Sequence, residues 1–296
     1  MAKILVVGSA AMDFTLEADR LPEQGETLQG NGVTMFSGGK GANQAVAIAR
    51  LGGKVDLCAC IGEDIYGESV LRNLEENGVG TKFVQKIKDQ PTGTAHIFLI
   101  GADNRILIIP GANGCLSPAI IRQELQNTLS QYDLVVLQNE IPPESNDLIM
   151  ELCDTRKIPL LYNPAPAREK SIAKWDQKIY LTPNESECHQ LFPGLSIEEA
   201  ATKHSNQLIV TLGNRGAMFH DGKVLRIVPA INTIAVDTTG AGDTFNGALA
   251  VAITQGASLF EAVEFGNQAA ALSILKKGAQ TGMPTLAEVR QLNNKL

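Results

Sequence analysis

The feature that most restricts how this chain can fold is a repeated alternation. Short, mainly apolar runs, most of them rich in β-branched residues, fall at residues 4–7, 55–61, 134–137, 159–162, 179–181 and 208–212. Stretches of helical period lie between and after them. Residues 41–50 put Ala42, Ala45, Val46 and Ala49 on one face and stop at Gly52-Gly53. Residues 66–76 follow, ending near Gly78, and Ser117-Pro118 opens a helix to about Leu129, with the serine as N-cap and the proline in the first turn. Residues 144–156, 242–254, 258–276 and 286–293 complete the helical set. A strand that is apolar on both faces has no side to give to water. Such strands, separated by helices, predict an α/β fold whose parallel sheet is covered on both faces.

Two stretches break the rhythm. Residues 14–36 are polar and glycine-bearing, with strand-like alternation and no helix. Residues 94–109 read as a hairpin, A-H-I-F-L-I, then the turn G-A-D-N, then R-I-L-I-I. Strands outside the main sheet suit a lid that keeps water from a reaction site. They equally suit a β extension used for packing or dimerisation. No repeat, linker or low-complexity segment appears, so residues 1–296 are expected to form one domain with β-lid segments at about 14–36 and 94–109.

Composition narrows the partners. A formal charge of -7 on 296 residues argues against a nucleic-acid or anionic-membrane surface, though not against an anionic nucleotide held by a few local donors. The five cysteines, Cys58, Cys60, Cys115, Cys153 and Cys188, contain no CxxC and read as reduced, buried thiols. No run is long enough to span a membrane, and the first apolar run is too short for a secretory signal; a cytoplasmic location is expected. The four histidines show no metal spacing.

Polar groups then cluster where strands end. In D-T-T-G-A-G-D-T-F-N-G-A-L (237–249), glycines precede a helix whose first N–H groups lack internal partners and carry the positive end of its dipole. That is an anion site, and Asp243 beside it is placed to take a proton from a hydroxyl attacking a phosphoryl group. A plain glycine turn with a helix-start aspartate has the same local pattern. In S-G-G-K-G-A-N, Lys40 and Asn43 offer donors to a polyhydroxylated ligand, without the spacing of a Walker A loop. Asp13 is expected at the end of the first strand, on the carboxyl edge of the sheet where open α/β folds bind ligands, and Glu140 ends another strand. Asn184 and Glu187 form either a cap pair or a site ordering magnesium-bound water. Thr211 and Gly213 at a further strand end can hold a phosphate.

Together S-G-G-K-G-A-N-Q-A-V-A, D-T-T-G-A-G-D-T-F-N-G-A, N-P-A-P-A, T-P-N-E, V-T-L-G-N-R-G and K-K-G-A-Q, in this order, resemble the signature regions of the ribokinase-like carbohydrate kinases, the PfkB family. The resemblance covers essentially the whole chain. It implies a Rossmann-like sheet with a β lid that pairs with a second subunit's lid in a homodimer. It implies transfer of the γ-phosphoryl group of ATP, with Mg2+, to a primary sugar hydroxyl. Asp243 would be the base, and the N–H groups of Gly240, Ala241 and Gly242 the anion hole. Asp13, Gly39, Lys40, Asn43 and Glu140 would hold the sugar, with Ala95, Ile97 and Ile108 covering it. Asn184, Glu187, Thr211, Gly213, Gly216 and Asn267 would lie along the nucleotide and magnesium path. Activation by K+ is implied too, through Asp237 and the carbonyls of Thr239, Ser273, Lys276 and Gly278.

Two positions depart from the pattern. The family reads G-S-x-N-x-D where this chain reads G-S-A-A-M-D, so Ala11 stands where a sugar-contacting asparagine is usual. A hydroxyl left unpaired there costs about 1–3 kcal/mol. A pentose phosphorylated at its 5-hydroxyl, ribose first, is therefore expected beside an alternative, 2-deoxyribose or another sugar lacking or moving that hydroxyl. The second departure is Gly282, where a serine is usual, which removes one possible K+ ligand. A sugar- or nucleotide-binding regulator without catalysis is the reading from another class; the intact Asp243 and its glycines oppose it.

Overall fold

In the computed structural model, which describes residues 2–100, 103–168 and 179–293, the apolar runs form a parallel sheet of order β10-β9-β8-β1-β4-β5. Its strands are β1 (Lys3–Val7), β4 (Lys54–Gly62), β5 (Gly80–Ile87), β8 (Leu134–Leu137), β9 (Leu160–Tyr162) and β10 (Ile179–Leu181). The period of two sorts each strand between two cores. Ile4 and Val6 of β1 point into one cluster with Leu57, Ala59 and Val136; Leu5 and Val7 point into the other with Cys58, Cys60 and Val135. The first core is closed by α1 (Lys40–Arg50), α7 (Ala241–Thr254) and α8 (Leu259–Ser273), the second by α3 (Pro118–Leu125) and α4 (Pro143–Arg156). Each fully buried Ile or Leu contributes about 1.5–3 kcal/mol, so neither face tolerates water. The helices α2 (Ile65–Glu76), α5 (Glu185–Leu191), α6 (Ile197–Lys203), α9 (Ala279–Gly282) and α10 (Leu286–Asn293) complete the set.

The lid is a second sheet, ordered β3-β2-β6-β7, with β2 (Ala11–Ala18), β3 (Gly32–Gly38), β6 (Gly93–Ile100) and β7 (Asp103–Ile109). β2 pairs parallel to β6 and antiparallel to β3, so two distant stretches of sequence build one surface. Register sets Asp13, Ala95 and Ile108 side by side, then Thr15, Ile97 and Ile106. The expected hairpin is present as β6 and β7; Gly101 and Ala102 of its turn lie outside the described residues.

Several expectations need correction. Asp13 does not end a strand of the main sheet; it is the third residue of the lid strand β2, because the chain leaves β1 at Gly8 and re-enters a different sheet three residues later. Residues 19–31 of the expected lid stretch carry no regular strand. The helix expected to reach Leu129 ends at Leu125, where a 3-10 turn over Leu129–Gln131 takes over. Ser117 does cap it, accepting from Ile120 N. The run at 208–212 yields β11 (Ile209–Thr211), which adjoins the main sheet only through the isolated bridges Leu181–Leu208 and Asn184–Thr211 and otherwise pairs antiparallel in a three-stranded sheet with β12 (Ala217–His220) and β13 (Leu225–Val228). β5, β12 and β13 are short or mixed in polarity, so no apolar run announces them.

Candidate active site

β1 lies between β4 and β8, and the chain builds outward from it first through β4 and β5, then through β8, β9 and β10. Where such a sheet reverses its order, the loops leaving adjacent strands part and open a crevice at the carboxyl edge. The lid closes over that crevice. The cavity between them holds about 570 Å3 and is lined by Gly39, Lys40, Asn43 and Glu140 from below, by Ala11, Asp13, Ala95, Ile97 and Ile108 of the lid sheet, and by Thr239, Gly240 and Asp243 at the start of α7. Residues scattered over more than 230 positions thus share one wall.

Asp243 sits in the first turn of α7 and is 6% exposed. Both its oxygens already accept an amide hydrogen: Oδ2 from Asn43 Nδ2 at 2.9 Å and Oδ1 from Gln44 Nε2 at 3.0 Å. Each oxygen keeps a lone pair for a substrate proton. Gly240 caps the helix with φ 77°, a left-handed conformation that glycine adopts without cost, and a Cβ there would stand 2.7 Å from Ala279 Cβ. The N–H of Ala241, expected in the anion hole, donates instead to Thr238 O at 3.2 Å, closing the turn before the helix. Gly240 and Gly242 are the remaining two of that expected trio, and Gly242 faces open space.

Glu140 follows β8. One of its oxygens, Oε2, accepts from Ser9 Oγ at 2.6 Å and from Lys40 N at 2.9 Å, which ties the loops after β1 and β8 together beneath the cavity. Arg168 donates to the carbonyls of Asn139 and Ile141 on either side of Glu140, the second at 2.9 Å. Asn113 clamps Ala10 through both backbone atoms, at 2.9 and 3.0 Å, at the entry to β2. Asp13 has its room from Gly38: a Cβ at that position would lie 2.1 Å from Asp13 Oδ2.

Three carboxylates, Asp13, Glu140 and Asp243, surround the single ammonium of Lys40. Burial, then repulsion from Glu140 and Asp243, pushes the Asp13 carboxyl up to about 7. Lys40 is held in its charged form chiefly by Asp243, against the cost of burial. Glu187 is raised by burial.

The other expected residues lie outside the cavity lining. Asn184 and Glu187 form a capping box at the start of α5, each backbone N–H bonded to the other's side chain at 2.8 Å, so the cap reading is realised and Glu187 Oε1 is left over. Asn184 bridges to Thr211. Gly213 turns at φ 58° with open space around it, whereas Gly216 packs against Val228 O as the chain enters β12. Asn267 is buried on α8 and donates to Val228 O at 2.9 Å and Pro229 O at 3.2 Å. Asp237 accepts from Thr239 N at 2.9 Å and Gly278 N at 2.8 Å. A Cβ on Gly282 would stand 2.1 Å from Ser273 O and 3.6 Å from Lys276 O, so these carbonyls converge on the glycine itself.

Ser9, Gln44, Asn113, Arg168 and Gln280 also build the site. Ser9, Gln44 and Gln280 lie within the motif stretches, Arg168 directly follows N-P-A-P-A, and the local pattern announces no partner for any of the five. Among the described residues no group of three or more His, Cys, Asp or Glu forms a metal cluster, and no helix is long and apolar enough to cross a membrane.

This arrangement, a carboxylate at a glycine-lined helix start beneath a β lid, is that of a phosphotransferase, and the chain belongs to the pfkB family of carbohydrate kinases, whose match spans residues 1–286. Among its relatives, the ribokinase of Lactococcus lactis is 48% identical over 98% of this chain and 96% of its own length. A deoxyribokinase of Salmonella typhi is 35% identical over 97% of each. The structure of Arabidopsis thaliana ribokinase complexed with ribose and ATP superposes with a TM-score of 0.88, at 32% identity and covering 99% of both chains.

Proposed function

We propose that this protein is an ATP-dependent ribose kinase, transferring the γ-phosphoryl group to the 5-hydroxyl of the sugar. The observation that carries this reading is Asp243, buried at a helix start and lining the cavity under the lid. The sugar lies between Lys40, Asn43 and Glu140 on one side and the lid residues Asp13, Ala95, Ile97 and Ile108 on the other. Asp13 and the free oxygen of Glu140 accept from its secondary hydroxyls. Asp243 takes the proton of the attacking hydroxyl as the new P–O bond forms and the bond to ADP breaks. The N–H groups of Gly240 and Gly242 stabilise charge on the transferring phosphoryl oxygens. The lid excludes water, which would otherwise compete as acceptor.

The nucleotide runs from Gly240 past Asn184, Glu187, Thr211, Gly213 and Gly216 toward Asn267. Glu187 Oε1 suits the hydration shell of the Mg2+ that accompanies ATP. For K+, the carboxylate of Asp237 and the carbonyls of Thr239, Ser273, Lys276 and Gly278 are the hard oxygen donors a large monovalent ion requires. The Gly282 position matters to that fit: with this backbone a side chain there would collide with Ser273 O. Val33, Met35 and Leu107 on the lid are 61%, 56% and 57% exposed, which supports a dimer through the lids. Ala11, lining the cavity where an amide would reach a hydroxyl, keeps 2-deoxyribose as the second reading.

The test is ADP release over ribose, 2-deoxyribose, other pentoses and hexoses, with and without K+. Ribose should rank at or near the top; a hexose far above both pentoses would end the proposal. Asp243→Asn should lower turnover about 10²–10⁴-fold while sugar binding persists.

A further inference from the structure

The amides that meet Asp243 do not stand alone. Asn43 Oδ1 accepts from Gln280 Nε2 at 2.9 Å. Gln280 Oε1 accepts from Asn73 Nδ2 at 2.5 Å. Asn77 Nδ2 donates to the Asn73 backbone carbonyl at 2.8 Å and faces Asn73 Oδ1 at 3.4 Å. Asn77 Oδ1 accepts from Arg50 Nε at 2.7 Å. On the other side, Gln44 Nε2 is shared between Asp243 Oδ1 and Asn163 Oδ1, the second at 3.2 Å, and Asn163 Nδ2 donates to Thr182 O at 2.9 Å.

A carboxamide can turn over and exchange donor for acceptor, so its direction must be set from outside. Both chains here end on groups with no choice. An arginine Nε only donates, and a backbone carbonyl only accepts. Arg50 fixes Asn77, Asn77 fixes Asn73, and the order passes through Gln280 to Asn43, whose N–H must then face Asp243. Thr182 O fixes Asn163, and Asn163 makes Gln44 a donor. Gln44, Asn43 and Gln280 are 0%, 5% and 5% exposed, so water cannot substitute cheaply within the chain.

We propose that the Arg50–Asn77–Asn73–Gln280–Asn43 relay is a positioning device that sets the polarity around Asp243, holding its carboxylate as an acceptor ready to take the sugar proton. Asn73 and Gln280 act through Asn43 and are positioning residues. The inference rests on the reading of Asp243 as the base. Asp243 is also faced by Lys40 from α1, Asp13 from β2 and Glu187 from α5, with Glu140 beyond Asp13 and Lys40. None of these touches Asn73, and the hydrogen-bonded path from Asn73 to Asp243 runs through Gln280 and Asn43.

Asn73→Asp keeps the shape and removes the donor. Gln280 must turn to donate to the new carboxylate, Asn43 must turn in response, and its Oδ1 then confronts Asp243 Oδ2. Asn73→Ala removes shape and donor together but leaves Gln280 oriented from the Asp243 end, with water able to reach its Oε1. Packing alone predicts that alanine is worse; polarity predicts that aspartate is worse. The measurement is the single-turnover rate of phosphoryl transfer from ATP to ribose between pH 5 and 9, with thermal melts of each variant. The expected result is a loss of about tenfold at pH 7 for Asn73→Asp, with its acid limb moved up by about one unit, and less than threefold with an unmoved limb for Asn73→Ala. An alanine variant as impaired as the aspartate one, or an unmoved limb in Asn73→Asp, overturns the relay. If Asn73→Asp does not fold, Asn77→Asp applies the same reversal one step further out. Asp243→Asn runs alongside: normal turnover there removes the base reading itself, whereas an inactive Asp243→Asn beside an indifferent Asn73→Asp removes the relay alone.

Discussion

Gly38→Ala adds one methyl group to the lid and is expected to disable sugar binding. The ideal Cβ would stand 2.1 Å from Asp13 Oδ2, 2.3 Å from its Cγ and 2.4 Å from Oδ1. Normal contact is about 3.5 Å or more, so the carboxylate must move by more than an ångström or β3 must part from β2. The side chain is the softer of the two, since Gly38 pairs directly with Ala11 in the β2–β3 ladder and has no left-handed φ to forbid alanine. On the proposed sugar site, a displaced Asp13 would lose the bonds that the sugar hydroxyls are expected to donate to it. A hydrogen bond to a charged group is worth about 1.5–3 kcal/mol, so losing one weakens binding about 10–150-fold and losing two more than that. The assay is calorimetric titration with ribose, beside a thermal melt. Sugar affinity should fall at least tenfold while the melting temperature stays within a few degrees. The double variant with Asp13→Ala should bind no worse than Asp13→Ala alone, because both changes remove the same interaction. Ribose affinity within threefold of the parent, with an intact fold, would refute the placement of Asp13 as a sugar acceptor.

Acid should weaken the sugar site. Burial and the neighbouring carboxylates push Asp13 up to about 7, and sugar hydroxyls donating to it as proposed need the carboxylate, so ribose affinity should be full only well above pH 7 and fall as pH drops through that value; titration in buffers of different ionisation enthalpy should show proton release on binding. The same shift acts on stability with the opposite sense. Between pH 3.8 and about 7 the folded chain holds a proton that the unfolded chain has lost, so Asp13 takes stability away as pH rises across that window, and Asp13→Asn should flatten the dependence in melts. On the proposed K+ site, Gly282→Ser should weaken any K+ stimulation of ADP release even though it restores the residue usual in the family, since with this backbone its Cβ would displace Ser273 O; stimulation that rises instead would show that the hydroxyl serves as a ligand and the carbonyl does not. Ala11→Asn should shift the ratio of kcat/KM toward ribose over 2-deoxyribose by about tenfold, within the range of one recovered hydrogen bond; an unchanged ratio would show that Ala11 does not face the 2-hydroxyl.

What the sequence determined by itself is local. Apolar runs of strand length fixed the six-stranded sheet almost completely, because a strand buried on both faces must be apolar throughout. Glycines before Lys40 and Asp243 marked helix starts, because only there does the backbone need both tight turning and free N–H groups. The lid hairpin was legible from its turn and alternation. β5, β12 and β13 were not, since strands with one wet face or few residues resemble loops.

The tertiary structure decided what distance in sequence conceals. Asp13 follows the first apolar run in sequence yet belongs to the lid, because only strand pairing shows that β2 joins β6, Asp13 beside Ala95. Gln44 and Gln280 lie inside motif stretches whose pattern says nothing of what they bond; they matter because packing aims one donor at each oxygen of Asp243, directly or through Asn43. An amide's direction is a property of its neighbours, so no reading along the chain can supply it. The polarity around the base is therefore visible only once residues 43, 73, 163, 243 and 280 stand together.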